Sequence, residues 1–419
     1  MKRWLMYLTL FAFTLGAMEL FKGDPEISAA VAEIPSGDIS KMSPAAEGNN
    51  LFMIKAYKYL TETEESKNIF ISPYSIQSAL AMTFAGAAGK TEEEMGSALE
   101  FPGNTIAFHE NFGKLTKGIN DISKKGEMQL SVANSLWLAE NYNFLEEFLR
   151  INKTYYNTET TNLNFSESEK ARKTINDWVA EKTKDRIKDL IPPGILDALT
   201  KLVLTNAVYF KAEWAEQFKK GNTQKSEFTT MGNKAVKTEM MNLKHNFPYM
   251  ENEEIQLIEM PYKGGDASMF VILPKKKNDL KTIEKDLEWK NIDKLIGQLK
   301  RQQVDVYFPK FKMSLEYELR KLMSSLGMKA AFNKGADFSR MNGNKDLYIS
   351  AIIHKTFVEV DETGTEAAAA TAVVMRMKSA MPNPEYKTFR ADHPFFYFIR
   401  ENVSGTVLFA GRVTDPSSK

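Results

Sequence analysis

The stretch Asp361 to Lys378, DETGTEAAAATAVVMRMK, has two incompatible local readings. Alanine has the highest helix propensity, so Glu366 to Ala372 makes a good helix. As a strand, the same residues alternate: Thr365, Ala367, Ala369, Thr371 and Val373 fall on one face. Glu366, Ala368, Ala370 and Ala372 fall on the other. The first face holds only Thr, Ala and Val, so the segment fits between existing strands without steric conflict while Glu366 stays toward solvent. Gly364 supplies a pivot. Directly downstream stand Arg376 and Lys378, then small Ser379 and Ala380, then Pro382 and Pro384. A basic residue beside a small one in such an arm is what a protease attacks. An Ala-rich surface helix followed by a nicking-prone loop fits these residues as well, and they do not choose between the two.

Outward from this stretch, the chain offers no reactive group of its own. Its 419 residues carry 55 Lys+Arg against 54 Asp+Glu and no cysteine. The balance of charge gives no bulk reason to expect nucleic acid as a partner. The missing cysteines exclude disulfides, thiolate nucleophiles and Cys-ligated metals. Only His109, His245, His354 and His393 are present, none in HExxH, and there is no GxSxG elbow. Gly89-Lys90-Thr91 resembles the end of a phosphate-binding loop, but Phe84 stands where its first glycine belongs, so a helix boundary is expected. Lys275-Lys276-Lys277 reads as a solvated turn, and acidic neighbours dilute a polyanion stripe at Lys114, Lys117, Lys124 and Lys125. No metal site and no cofactor is expected.

Length alone predicts two or three domains. Lys2 and Arg3 precede an apolar run from Trp4 to Met18, shorter than the ~20 residues of a bilayer span. Residues 1–32 are therefore expected to be an export signal, or else an uncleaved anchor, followed by a polar linker over 33–47. Export makes Asn152, Asn164 and Asn402, each in an N-x-S/T triplet, glycosylation acceptors in a eukaryote. From residue 50 helical patterns dominate first, with a charged amphipathic helix over 166–189. Strand-like runs follow at 201–210, 255–262, 268–273, 304–308, 356–360, 395–400 and 406–413. Helices early and strands late predict an α+β fold, with no internal domain boundary.

Several long motifs in order then decide between the readings. They are Asn68-Ile-Phe-Ile-Ser-Pro-Tyr-Ser-Ile76, Thr205-Asn-Ala-Val-Tyr-Phe-Lys211 with Trp214, and Val306-Tyr-Phe-Pro-Lys-Phe311. Val360 to Ala370, Phe389-Arg-Ala-Asp-His-Pro-Phe395 and Leu408-Phe-Ala-Gly-Arg-Val413 complete the set. Through them the chain from about Gly48 to Pro416, roughly nine-tenths of it, resembles the serpin family of serine protease inhibitors.

The resemblance implies a single domain over 48–419, with about nine helices, three β-sheets and an exposed reactive-centre loop near 362–388. It implies an inhibitor rather than an enzyme. The target protease attacks the loop, and the cleaved loop inserts into the main sheet before the acyl-enzyme is hydrolysed. The hinge would be Glu362, Gly364, Thr365, Glu366, Ala367, Ala368, Ala369, Ala370 and Thr371. Counting along the inhibitory pattern from Glu362 places the bait bond at Lys378–Ser379, which suits a trypsin-like pocket. The stretch before Pro394 is longer than usual in the family, so counting back from the C-terminal motif favours Ala380, and Arg376 is a second basic site. Ser72, Ser75, Asn206 and His354 would form a polar shutter under the sheet. Trp214 and a Glu362–Lys310 ion pair would close the breach where the loop first enters. The implied protein is a secreted monomer, off the membrane once mature, which forms loop–sheet polymers when destabilised. A noninhibitory binding protein and a cross-class inhibitor of cysteine proteases are the alternatives.

Overall fold

Ser43 and Pro44 open the first helix: the Ser43 hydroxyl accepts from the Ala46 N–H at 3.2 Å, and Pro44 occupies the first helical position. The computed structural model describes residues 42–124, 128–140, 142–365 and 386–418. The expected export signal and most of the linker thus lie outside the described residues. The linker's expected end at residue 47 is too late, because a helix begins at Pro44.

The helices are α1 (Pro44–Thr63), α2 (Pro73–Phe84), α3 (Gly89–Leu99), α4 (Ile106–Lys124), α5 (Glu146–Tyr156), α6 (Ser168–Lys182), α7 (Leu280–Lys285), α8 (Trp289–Ile296), α9 (Arg320–Ser325) and α10 (Ser339–Asn342). The strands are β1 (Ile69–Ile71), β2 (Met128–Ala139), β3 (Glu159–Leu163), β4 (Leu202–Glu213), β5 (Gln224–Thr229), β6 (Ala235–Glu251), β7 (Ile255–Pro261), β8 (Ala267–Pro274), β9 (Lys300–Pro309), β10 (Phe311–Glu318), β11 (Ile353–Val360), β12 (Gly364–Thr365), β13 (Lys387–Arg390), β14 (Phe395–Glu401) and β15 (Val407–Val413). The predicted helix over 166–189 stops at Lys182, where Thr183 turns its hydroxyl back to the Val179 carbonyl at 2.7 Å.

One sheet has the order β10-β11-β12-β4-β2-β3, antiparallel except for the β2–β3 pair. The other runs β1-β15-β14-β8-β7-β6-β9-β13, with β5 added to β6. The long β6 joins two lobes of this second sheet. Its residues Met240 to Tyr249 pair with β9, and from Tyr249 onward they pair with β7. Counting those lobes separately, the α+β fold has ten α-helices and three sheets among the described residues.

Helix α2 is buried along its whole length and packs on both β4 and β15. Phe409 of β15 meets Phe70 at 5.1 Å and Phe210 of β4 at 5.7 Å, so aromatic packing joins the two sheets. The main core runs from Ala45 to Val413, with a smaller cluster of Trp137, Ile175 and Val179 under α6. The expectation of two or three domains from length is corrected here. Strands from opposite ends of the chain pair directly, Phe70 with Gly411, so the core cannot be divided along the sequence. The core also seals Asn152, whose amide is fully buried and donates to the Phe148 carbonyl at 2.9 Å; it is no glycosylation acceptor.

Candidate functional site

The chain reverses at the end of β11 in a turn made by Asp361. Its carboxylate accepts from the N–H groups of Thr363 at 2.8 Å and Gly364 at 3.2 Å, and its own N–H donates to the Gly364 carbonyl at 3.0 Å. The next two residues, Gly364 and Thr365, lie between β11 and β4 and pair with both: Thr365 opposite Val360 and Ala212, Gly364 opposite Glu213. The start of the hinge is already a strand of the six-stranded sheet. Gly364 is needed for close approach rather than as a pivot, since a Cβ there would sit 2.1 Å from the Ala212 carbonyl oxygen and 2.7 Å from the Glu213 Cα. Thr365 is buried, and its hydroxyl is hydrogen-bonded to the Tyr262 hydroxyl at 2.7 Å.

Several bonds converge on residues 361–363. Trp214 N–H donates to the Thr363 carbonyl at 2.9 Å, and its indole Nε1–H donates to the Asp361 carbonyl at 3.0 Å. The indole stacks on Tyr262 with centroids 4.7 Å apart. Phe218 N–H donates to the Glu362 carbonyl at 2.9 Å. The Glu362 carboxylate is buried, accepts from the Thr223 hydroxyl at 2.8 Å and lies 3.1 Å from Lys310 Nζ. Burial pushes this carboxyl up, but hydrogen bonds from its own backbone, Thr223 and Lys310 hold it below the usual range. Burial likewise depresses Lys310, and its bonds to Glu362 and Glu239 more than reverse that. The structure therefore brings Trp214, Lys310 and Glu362 together around the turn between β11 and β12.

Lower in the sheet, Ser72 caps α2 by accepting from the Ser75 N–H at 3.2 Å, while its hydroxyl donates to the Leu408 carbonyl at 2.7 Å. The Ser72 N–H donates to His354 Nε2 at 3.0 Å. That acceptor role requires a neutral imidazole, and complete burial lowers the His354 pKa to about 3. Ser72, Ser75 and His354 are thus one buried cluster linking α2, β11 and β15. Asn206 lies on β4 opposite Asn134 of β2; its side chain is outside the described residues. Thr356, one repeat along β11 from His354, donates to the Phe70 carbonyl at 2.8 Å.

Sequence reasoning missed Asp361, Thr223, Tyr262 and Thr356. Asp361 lies inside the Val360–Ala370 motif, where the Asp-x-Thr-Gly order at 361–364, a turn-forming pattern, was the signal for its role; Thr223, Tyr262 and Thr356 lie in none of the quoted motifs. The remaining hinge positions Glu366, Ala367, Ala368, Ala369, Ala370 and Thr371 lie outside the described residues, as do Arg376, Lys378, Ser379 and Ala380. The chain is described again from Tyr386, and β13 then runs parallel to β9.

Three comparisons bear on this arrangement. The family model described as "Serpin (serine protease inhibitor)" matches residues 47–416. The leukocyte elastase inhibitor of Bos taurus is 39% identical over 388 residues, covering 90% of this chain and all of that protein. Among solved structures, cleaved Serpin 42Da has a TM-score of 0.81 at 32% identity, covering 90% of this chain and 99% of that one. Thyroxine-binding globulin in complex with thyroxine has a TM-score of 0.79 at 28% identity, covering 89% and 99%. The family is one of serine protease inhibitors, and the thyroxine-binding globulin structure holds thyroxine. With a family model matched over nearly all of its described length and a relative aligned from end to end, the chain belongs to the serpin family.

Proposed function

We propose that this serpin is an irreversible suicide-substrate inhibitor of trypsin-like serine endopeptidases, with Lys378–Ser379 as its bait bond. What supports the reading is the hinge. Thr365 already pairs with both strands that must part and Gly364 with one of them, and the sequence continues with small residues at every second position. The target's serine Oγ attacks the Lys378 carbonyl carbon, and its histidine passes the serine proton to the departing Ser379 nitrogen. The result is an ester joining enzyme to inhibitor and a free C-terminal fragment. Insertion of the released hinge carries the ester away from the protease's oxyanion donors, and a displacement of ~1 Å already costs ~100-fold in rate. The native fold is then held by a kinetic barrier rather than by equilibrium. The chain acts as a secreted monomer; Lys2, Arg3 and the apolar run Trp4–Met18 support export, tested by sequencing the N-terminus of protein recovered from the medium.

A second reading is favoured by one relative's name, leukocyte elastase inhibitor. Elastase-type proteases have small primary pockets, and Ala380 then precedes the bait bond. Incubation with trypsin, pancreatic elastase and papain, followed by denaturing electrophoresis and N-terminal sequencing of the released fragment, separates the possibilities. A covalent trypsin complex and a fragment starting at Ser379 support the first reading. A fragment starting at Met381 supports Ala380, and one at Met377 supports Arg376. A complex with papain alone indicates a cross-class inhibitor. Cleavage without a complex, or without a gain in thermal stability, overturns inhibition in favour of a noninhibitory binding role such as that named for thyroxine-binding globulin.

A further inference from the structure

Away from the sheet entrance, a cleft of about 270 Å³ lies between the β6–β7 turn and helices α7 and α8. Its floor is hydrocarbon: Ile255, Ile272, Leu287 and Ile292 are buried there, and half-buried Ile283 and Leu295 form its walls. Its rim is acidic. Five carboxylates line it against one ammonium, Lys276, which is already paired with Asp279 at 3.8 Å. Glu253, Glu254, Asp286 and Glu288 are exposed and have no ion-pair partner among the described residues.

The rim is also held in place. Asn252 Oδ1 accepts from the N–H groups of both Glu254 and Ile255 at 2.9 Å, and the Glu254 carbonyl accepts from the Lys275 N–H at 2.7 Å. A hydrocarbon-lined cleft with unneutralised carboxylates at its mouth is complementary to one ligand chemistry: an aliphatic stem ending in a cation. An anionic amphiphile of the same shape meets like charge at the rim. A hydrated metal ion gains nothing from the floor.

We propose that this cleft binds small aliphatic amines, the hydrocarbon stem lying on Ile255, Ile272 and Ile292 and the ammonium held at the rim by Glu254 and Asp286. The site is separate from the hinge, so its test involves no protease and stands or falls independently of the inhibitory reading. The probes are n-hexylamine, 1-hexanol and hexanoate, titrated into the full-length protein and followed by ligand-observed NMR and calorimetry. Hexylamine is expected to bind saturably and hexanoate at least about tenfold more weakly, with hexanol between them. Asp286→Lys reverses charge on an exposed rim position without touching the floor, and should weaken hexylamine by about tenfold. Leu295→Trp fills the cleft from its half-buried wall and should abolish binding, with an unchanged circular dichroism spectrum as the control for folding. The proposal is overturned if hexylamine shows no saturable binding. Equal binding of hexylamine and hexanoate, or unchanged hexylamine binding in both variants, overturns it as well.

Discussion

Replacing Lys310 by methionine isolates the ion pair that closes the sheet entrance. The Glu362 side chain is 6% exposed and the Lys310 side chain 30% exposed, with 3.1 Å between the charged atoms. Breaking a fully buried pair from one side costs about 3–5 kcal/mol, because the remaining charge is stranded. An exposed pair is worth at most ~1 kcal/mol. With one partner buried and the other partly wet, and with Thr223 still donating to the carboxylate, the cost here is about 2 kcal/mol. Opening the sheet hydrates Glu362, so the loss falls on the closed state and lowers the barrier to opening. About 2 kcal/mol corresponds to opening roughly 30-fold faster.

The readout is hydrogen exchange at the Trp214 and Phe218 amides, whose acceptors are the carbonyls of Thr363 and Glu362. Both should exchange about 30-fold faster in Lys310→Met, and loop–sheet polymers on nondenaturing gels should appear sooner on warming. Glu362→Gln should act in the same direction, and the double variant should cost less than the sum of the two. Glu239→Gln serves as the control. Glu239 also reaches Lys310, at 3.4 Å, but is 58% exposed, so it should have little effect. Wild-type exchange at Trp214 and Phe218 in Lys310→Met, or equal acceleration by Glu239→Gln, would refute the argument.

Three other outcomes are expected. Thr365→Glu places a carboxylate in the layer where the Thr365 hydroxyl meets Tyr262, and should convert the protein from inhibitor to cleaved substrate; an undiminished yield of covalent complex with the target protease rules this out. Burial lowers His354 to about 3 and His109 to about 4, so the unfolded chain takes up these protons near pH 6.5 while the fold does not. Stability should therefore be intact above pH ~6.5 and fall below it by up to ~1.4 kcal/mol per pH unit for each histidine; the slope in urea titrations between pH 6.5 and 4.5 should be roughly halved by His109→Gln. Arg412 is fully buried and meets Glu284 at 2.9 Å while Glu284 accepts from Tyr57 at 2.7 Å, so Arg412→Met should destabilise by about 3–5 kcal/mol, contradicted by an unchanged denaturation midpoint.

Some strands that read clearly in the sequence have both faces covered: β8 and β15 are buried at every position, and apolar runs mark them, broken in β15 by Gly411 and Arg412. Others, such as β11, alternate between buried and half-buried residues and read by their period of two. β6 did not read as a strand. Its residues alternate between exposed and buried, it contains Pro248, and it changes partners at Tyr249, so no single period runs through it. The same distinction divides the site. Gly364, Thr365 and Glu362 were legible because a hinge constrains residue size and charge locally. Thr223 and Tyr262 reach the hinge from far along the chain, through pairing that only the folded sheet establishes. The helix start at Pro44 fell inside the expected linker; proline breaks a helix interior but is favoured at its first turn.

The register of β12 connects the two ends of the proposed insertion path. Thr365 stands opposite Val360 on β11 and Ala212 on β4, and both pairings are antiparallel. Carrying that register forward by the sheet's period of two would set Ala367 between Phe210 and Val358, and Ala369 between Val208 and Thr356. Those four neighbours already have places in the packed interior or its bonding: Phe210, Val208 and Val358 are buried, and Thr356 is bonded to the Phe70 carbonyl. Only a small side chain would enter between them without displacing the core. One step further, Thr371 would arrive between Asn206 and His354, at the level of the buried Ser72–His354 cluster. The alanines would thus admit the strand as far as the shutter, where a threonine brings its own hydroxyl to a polar layer. On this argument the size restriction ends where the hydrogen-bonded gate begins, and the gate rather than the alanine run sets how fast the strand completes.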